Sequence, residues 1–303
     1  MVDEIVLTDV VTGGVLRLST ENTFDYILSD KNGVDWGSIE STHHSFKFVN
    51  QIGVYVTGTS LETRSIAIIG YIIASNKREM TNRKTVLNRF FNPQHAIDMV
   101  YRDYTLRFLP NSSIRYGTTK AENNEVICKF KVEGLCPDPL FAESQETQTA
   151  AASTIGGFHF PMILPNPTEE PEYNIFGLRQ PSLIVAIENV GAVDVGMKII
   201  FKASGTVDNP RLIDVNTQKF FRIEKTMVAG ERIEVNTTVG EKYIRGVLNG
   251  ETSNYFKYRD LDSEWLQLKV GDNLFRYDCD GGQSALEVYI YHQNKYLEVQ
   301  ECC

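Results

Sequence analysis

Acidic side chains that lie close together in sequence are the first candidates for chemistry in this chain. Asp260 and Asp262 form one pair, and Asp278 and Asp280 form another. Two carboxyl groups can supply the acid and the base, or the nucleophile, of glycoside hydrolysis. Both pairs stand in turn-rich segments, where aspartate is favoured because its side chain bonds to the backbone of the turn. The spacing therefore favours turn formation over catalysis.

Histidines and cysteines offer a second kind of chemistry, metal binding or nucleophilic catalysis. His43 and His44 are adjacent, so in a strand their side chains point to opposite faces and cannot easily share one ion. The five cysteines lack the paired spacing that gathers a metal, and Cys128 is expected to be a buried thiol in a strand. The sequence contains no phosphate-binding glycine loop. We expect no catalytic residues, metal or cofactor, and predict that the protein is not an enzyme.

Composition excludes several other classes of protein. Hydrophobic residues make up 42% of the 303 residues and charged residues 23%, as is usual for a soluble globular protein. No apolar run approaches the roughly 20 residues that span a bilayer, and the N-terminus lacks the pattern of a secretory signal. The net charge of -9 disfavours general binding to nucleic acid. We therefore expect neither membrane insertion nor specific DNA binding.

The charges are unevenly distributed along the first half of the chain. Residues 1–63 carry three basic and nine acidic side chains, whereas residues 64–120 carry ten basic and three acidic ones. Complementary faces on one subunit suit a head-to-tail ring of copies. Neutralisation of the two blocks within one subunit is the alternative.

One segment of the basic block predicts a helix. Met80, Leu87 and Phe91 recur at helical spacing over residues 77–91, Val86 and Phe90 widen the apolar face, and a proline follows at position 93. This helix would display the candidate oligomer-interface residues Arg78, Arg83, Lys84 and Arg89. They either form a solvated basic face or dock on the acidic strands of a neighbouring subunit.

The rest of the chain alternates in the manner of β-strands. In the first half, strands are predicted at 5–11, 15–18, 24–28, 46–49, 54–56, 65–74, 104–109 and 125–132. In the second half they are predicted at 183–188, 197–201, 210–215, 219–223, 232–235, 243–248, 265–270, 274–277 and 285–291. The dipeptide Asn249-Gly250 predicts a tight hairpin turn, and Gly271-Asp272 predicts a second turn between two strands. The second half should form a β-sandwich.

Prolines, glycines and a polar run concentrate between residues 137 and 182 and indicate the join between two domains. We predict a domain at residues 1–148 and a second at residues 149–303, the latter including the proline-rich lead-in.

Two motifs resemble a known family. Residues 249–278 read NG, then Tyr255, then LDS, Trp265, LQL and GDN, and residues 63–93 read TRSIAIIGYI, the helix and FFNP, followed by aromatic residues at 101, 104 and 108. This order resembles the distal tail proteins of long-tailed, siphovirus-type bacteriophages, which are baseplate hub components. The resemblance implies a mostly β protein with an N-terminal β-sheet belt domain containing one α-helix. It also implies a C-terminal β-sandwich that is galectin-like or similar to carbohydrate-binding modules.

The resemblance also implies the function. Six copies of the belt would close into a homohexameric ring that joins the tail tube protein to the tail-associated hub protein. The sandwiches would support receptor-binding or side-fibre proteins for host attachment, and DNA would pass through the lumen without specific binding. The protein would be located at the virion tail tip, and in the host cytoplasm during assembly.

The alternative function is a carbohydrate-binding adhesin. Such a module stacks exposed aromatic rings on sugars, and the candidates are Trp265, Tyr289 and Tyr291. Since Trp265 lies in an alternating apolar pattern, packing at the core is the competing interpretation.

Overall fold

The computed structural model describes residues 4–21, 25–29, 33–50, 52–150, 153–156, 177–180 and 184–299. The chain divides into two compact units. Unit 1 comprises Met1–Ser144 and Lys295–Cys303, and unit 2 comprises Gln145–Asn294. The predicted boundary after residue 148 stays a prediction, and most of the proline-rich lead-in lies outside the described residues.

The fold is mostly β, as predicted, with one α-helix within the described residues. Residues 4–150 form β1 Glu4–Asp9, β2 Val15–Ser19, β3 Tyr26–Leu28, β4 Val34–Asp35, β5 Ser41–Phe46, β6 Tyr55–Leu61, β7 Arg64–Ile73, α1 Lys77–Phe90, β8 Ile97–Tyr101, β9 Tyr104–Pro110, β10 Arg115–Tyr116, β11 Ile127–Cys136, β12 Phe141–Glu143 and β13 Thr147–Ala150. Residues 153–296 form β14 Ser153–Gly156, β15 Gly177–Gln180, β16 Ile184–Asn189, β17 Met197–Ala203, β18 Val207–Asp208, β19 Arg211–Asp214, β20 Phe220–Arg222, β21 Thr226–Met227, β22 Arg232–Asn236, β23 Tyr243–Leu248, β24 Glu251–Asn254, β25 Gly271–Asp278, β26 Leu286–His292 and β27 Lys295–Tyr296. No helix in the described ranges is both long and apolar enough to cross a membrane.

Unit 1 is built on a closed barrel. Its strands run in the order β11-β7-β3-β2-β1-β8-β9, and β9 pairs back with β11. Closure leaves no free edge between these strands. The short strands β4, β10, β12 and β27 pair along the outside of this circuit. The closed barrel therefore joins the early strands β1, β2 and β3 and the later strands β9 and β11 of unit 1 in one continuous sheet.

Alternation along the two longest strands fills the barrel. Every second residue of β7 and β11 is buried, and the two strands pair over ten residues. Gly70 of β7 lies under Phe130 of β11, where a Cβ would come within 2.7 Å of the ring. Only glycine leaves room for this aromatic side chain. Cys128 is fully buried next to it, as predicted.

Helix α1 occupies the predicted segment. Asn76 caps it by accepting a hydrogen bond from the backbone of Glu79 at 3.0 Å. Met80 and Leu87 are buried, together with the C-capping Phe91. The prediction that Val86 belongs to the apolar face is wrong, because 58% of its surface is exposed.

A count of charges overstates the basic surface of residues 64–120, because Arg64 is buried. Its side chain is buried and donates hydrogen bonds to the carbonyl oxygens of Pro139 at 2.8 Å, Trp36 at 3.0 Å and Leu297. The guanidinium also lies 4.7 Å from the Phe141 ring centroid. Arg64 thus joins three separate segments of unit 1 and does not contribute to its surface.

Unit 2 is a β-sandwich, as predicted. A six-stranded sheet, β13-β26-β17-β22-β23-β24, and a four-stranded sheet, β16-β25-β19-β20, share one apolar core. Asn249 and Gly250 adopt φ angles of 51° and 83° between β23 and β24, which confirms the predicted hairpin turn. The prediction of a turn between two strands at Gly271 is wrong, because Gly271 begins β25 and no strand directly precedes it.

Two further strand predictions are wrong for a physical reason. The apolar run at residues 46–49 continues past the end of β5 and is exposed. At residues 265–270, Leu266 and Leu268 are buried with period 2, but the backbone forms only a single bridge, between Val195 and Leu268. The side chain of Asn273 bonds to both the N–H and the C=O of Lys269 and so replaces a strand partner.

Candidate assembly surfaces

The most exposed element of unit 1 is the hairpin of β5 and β6. We call residues 41–61 the arm. All of β5 and all of β6 except Ser60 are exposed, and these two strands pair only with each other. None of the described arm residues belongs to the buried core of unit 1. An isolated two-stranded hairpin is only marginally stable in water, so the arm is expected to gain stability from a partner.

The tip of the arm is apolar and aromatic. The Phe46 ring centroid lies 4.8 Å from that of Phe48 and 5.3 Å from that of Tyr55. Phe48, Val49 and Ile52 expose 65%, 92% and 101% of their surfaces. Lys47 is the one charged residue in the sequence of the arm. Exposed apolar residues grouped in this way are typical of protein interaction sites.

The base of the arm is acidic. The backbone N–H of Glu62 donates to the carbonyl oxygen of Glu40 at 2.8 Å, which sets the two residues side by side. Both side chains are exposed, and neither has an ion-pair partner among the described residues. The arm therefore combines an apolar tip with two unneutralised carboxylates at its base.

The predicted interface residues on α1 fall into two groups. Arg83 is largely covered: it pairs with Glu79 at 2.5 Å and Asp25 at 2.9 Å, and it donates to the carbonyl oxygen of Ile73. Lys84 donates to Asn123 Oδ1 at 2.8 Å. These two cations are neutralised or bound within the subunit, which was the alternative explanation of the charge blocks.

The other two predicted interface residues are not neutralised within the subunit. Arg78 and Arg89 are exposed, and neither has an ion-pair partner within the part of the chain that the structure describes. They lie near the two ends of α1. The basic surface of the helix is therefore formed by Arg78 and Arg89 together with the exposed Lys77.

A polar cluster connects the β1–β2 turn to the loop after α1. Asp9 is 1% exposed, accepts hydrogen bonds from the Thr12 hydroxyl at 2.6 Å and the Val11 backbone at 2.9 Å, and lies 2.9 Å from His95 Nδ1. Burial alone would raise the pKa of Asp9, but the hydrogen bonds from Thr12, His95 and the backbone outweigh it and lower that pKa to about 2. Asp9 is therefore an ionised anchor at neutral pH.

The carboxylate pairs serve structure. Asp260 accepts the backbone N–H of Asp262 at 2.9 Å, as expected of a turn. Asp278 and Asp280 both pair with Arg211, at 2.6 and 3.2 Å. Within the described ranges, no group of three or more histidine, cysteine or acidic side chains is arranged to hold a metal.

The three carbohydrate candidates do not form one site. Trp265 packs against the core of unit 2, with its ring centroid 5.2 Å from that of Phe221. Tyr289 and Tyr291 alternate with buried residues of β26 and so point away from that core. Lys202 and Lys198 lie over the rings of Tyr289 and Tyr291, at 4.4 and 4.9 Å from their centroids. A sugar would have to displace these cations before it could stack on either ring.

A cavity of about 440 Å³ lies near the same face of the six-stranded sheet. Its wall includes Lys202, Arg232 and Glu287 together with the Asn249-Gly250 turn. None of the three carbohydrate candidates is part of that wall. The cavity therefore adds no support to a sugar site built on them.

Sequence reasoning did not single out the arm. The signal was present, because apolar residues at 46, 48, 49, 52, 54 and 56 surround one charge without the strict alternation of a half-buried strand.

Family models match both halves of the chain. The model described as a phage tail protein RIFT-related domain matches residues 18–109. The model described as the C-terminal domain of the siphovirus-type tail component matches residues 190–296. This chain belongs to the siphovirus tail component family of distal tail proteins. As a member of that family, it is a structural component of the phage tail tip or baseplate, and the resemblance seen in the sequence is confirmed.

Solved structures show that the tail component fold extends over nearly the whole chain. The crystal structure of the SPP1 Dit (gp 19.1) protein, described as a paradigm of the hub adsorption apparatus in Gram-positive infecting phages, matches with a TM-score of 0.65 and 12% identity. It covers 96% of this chain and 98% of its own. The phage P2 baseplate in its activated conformation with Ca matches with a TM-score of 0.52 and 10% identity, and the same baseplate with Sr matches with a TM-score of 0.50 and 12% identity. Each covers 95% of this chain and 97% of its own. A search of curated proteins finds no match.

Proposed function

We propose that six copies of this tail component close into a ring at the tail tip, and that the arm of each copy docks on unit 1 of the next. The exposed arm with its apolar tip is the observation that carries this proposal. A head-to-tail contact of this kind is heterologous, and it closes into a ring when its rotation divides a full circle. The last contact is then intramolecular, so modest interfaces suffice for a stable assembly.

Charge complementarity supports a specific arrangement. Glu40 and Glu62 at the base of the arm lack ion-pair partners among the described residues, and so do Arg78 and Arg89 on α1. A ring brings the arm of one copy to the helix of its neighbour and lets the two carboxylates face the two guanidinium groups. Such pairs at the rim of an interface set its register and partner choice, while the apolar tip supplies the buried area.

The ring would join the tail tube protein to the tail-associated hub protein, and unit 2 would support receptor-binding or side-fibre proteins. The net charge of -9 suits a lumen through which DNA passes without binding. The role is mechanical, requires neither catalysis nor a cofactor, and places the protein at the virion tail tip after assembly in the host cytoplasm.

A charge exchange tests the arrangement. Arg78→Glu with Arg89→Glu should weaken assembly, and so should Glu40→Arg with Glu62→Arg, because each double variant sets like charges against each other. All four changes together should restore assembly, since the pairs form again with opposite sign. Light scattering coupled to size-exclusion chromatography, at several protein concentrations and salt concentrations, measures the mass.

Arg83 is left unchanged in this design because its ion pairs lie within the subunit. The matched control is Arg245→Glu with Lys257→Glu, which reverses two cations of unit 2. If the combined variant assembles no better than either double variant, the proposed pairing between helix and arm is wrong.

A further inference from the structure

A small depression on the outer face of the four-stranded sheet of unit 2 is surrounded by arginines. It has a volume of about 200 Å³. Three of its six lining residues are Arg211, Arg222 and Arg276, and the others are Ile213, Gln218 and Phe220. We call it the three-arginine pocket.

The strand register places these side chains together. Arg211 of β19 lies directly opposite Arg222 of β20, and Ile213 lies opposite both Phe220 and Arg276. Two cations directly opposite each other on neighbouring strands destabilise a sheet. In the folded protein Asp280 pairs with both of these arginines and offsets their repulsion.

The three cations differ in how far they are neutralised. Arg211 pairs with Asp278 at 2.6 Å and with Asp280 at 3.2 Å, and Arg222 pairs with Asp280 at 2.6 Å. Arg276 is exposed and has no ion-pair partner in the described ranges of the chain. Arg222 also lies 4.0 Å from Asp260. Arg276 is thus the cation of the pocket that pairs with none of these carboxylates.

Unused hydrogen-bond donors accompany that charge. The Nε of Arg222 is buried and has no hydrogen-bond partner among the residues that the structure describes. The guanidinium of Arg276 offers its full set of N–H groups. Ile213 and Phe220 are half-buried and add apolar surface between the two arginines.

We propose that the three-arginine pocket binds a phosphate monoester with a short carbon chain. One guanidinium fork satisfies both oxygens of a carboxylate, whereas the three terminal oxygens of a phosphate can accept hydrogen bonds from two arginines at once. Arg276 and Arg222 supply those donors, and the apolar surface of Ile213 and Phe220 covers the carbon chain. The site lies in unit 2 and does not depend on the proposed ring.

Asp280 limits the affinity of this pocket. The side-chain hydrogen bond from Asn209, together with Arg222 and Arg211, lowers the pKa of Asp280, so the carboxylate is charged at neutral pH. It competes with the ligand for Arg222, and it also pairs with Arg211. Neutralising Asp280 should therefore strengthen binding, a gain that misfolding could not produce.

Calorimetric titration of the full chain with glycerol 3-phosphate tests the proposal. Arg276→Ala should weaken binding about tenfold or more, the effect of losing a charge-assisted hydrogen bond. Asp280→Asn should tighten it, and Arg276→Lys should give an intermediate affinity because it keeps the charge without the fork. Arg245→Ala is the matched control, since it removes an exposed arginine of the other sheet, and it should leave binding unchanged.

Two further probes decide the class of ligand. Inorganic phosphate should bind more weakly than glycerol 3-phosphate, and acetate should bind more weakly than inorganic phosphate. Equal binding of phosphate and its glycerol ester overturns the monoester assignment, and equal binding of acetate and phosphate overturns the phosphate assignment. Unchanged affinity in both Arg276→Ala and Asp280→Asn shows that the ligand lies elsewhere.

Discussion

Single residues in this protein show that the same side-chain type serves different purposes in different surroundings. Arg64 is buried and bonds to backbone carbonyl groups, Arg83 is neutralised within the subunit, and Arg89 is exposed. All three belong to the basic block that the sequence shows. The sequence shows that the block is basic. It does not show which of these arginines is buried, neutralised or exposed, because the partners Pro139 and Asp25 are distant in the chain.

Asp9 gives a pH-dependent prediction at this scale. Its pKa is lowered to about 2, so its stabilising effect is complete above the ordinary aspartate pKa near 4 and is lost as the pH falls through about 2. We expect Asp9→Asn to reduce the free energy of unfolding by about 1–2 kcal/mol at pH 6, and by progressively less between pH 4 and pH 2.

Urea unfolding of both proteins across that pH range measures the difference. Asp35→Asn, at an exposed position in the same unit, is the control. A difference that stays constant from pH 6 to pH 2 would show that the charge of Asp9 contributes nothing to stability.

At the scale of elements, sequence analysis correctly predicted those elements whose position is set by a local pattern of residues. Helix α1 occupies nearly its predicted span because its apolar face and the following proline mark its extent, and the structure adds Asn76 as the cap at its start. Strand β8 went unrecognised, and residues 265–270 were wrongly predicted as a strand. The backbone of this second segment bonds to the side chains of Asn273 and Asp194, and neither contact can be read from alternation alone.

The arm is the element whose function follows most directly from its exposure. Phe48→Ser with Val49→Ser and Ile52→Ser should abolish assembly and leave unit 1 folded, because none of these residues contacts the buried core. Their removal should also increase the solubility of the isolated subunit, since the exposed apolar patch is lost.

Circular dichroism and light scattering separate the two effects. The control replaces Val190, Val239 and Leu261 of unit 2, which are also apolar and exposed, by serine. Wild-type assembly by the tip variant would exclude the tip as the contact, and a loss of assembly by the control would show that general surface hydrophobicity drives association.

The whole molecule combines a barrel-based unit 1 and a sandwich as unit 2, each with its own core. The β content, the sandwich and the family could be predicted, because turn residues, alternation and ordered motifs lie within short stretches of sequence. Closure of the barrel by β9 and β11, and the return of β27 to unit 1, could not be predicted. Both depend on pairings between distant strands that leave no local pattern.

The central claim at this scale is that the arm joins neighbouring copies in a closed ring. Electron microscopy of the assembled full-length protein tests it most directly, because it shows both the symmetry and the position of the arm. We predict particles with six-fold rotational symmetry, in which the arm of each copy lies on unit 1 of the next copy, beside α1. Particles without rotational symmetry, or a ring in which the arms project freely into solvent, would contradict the account.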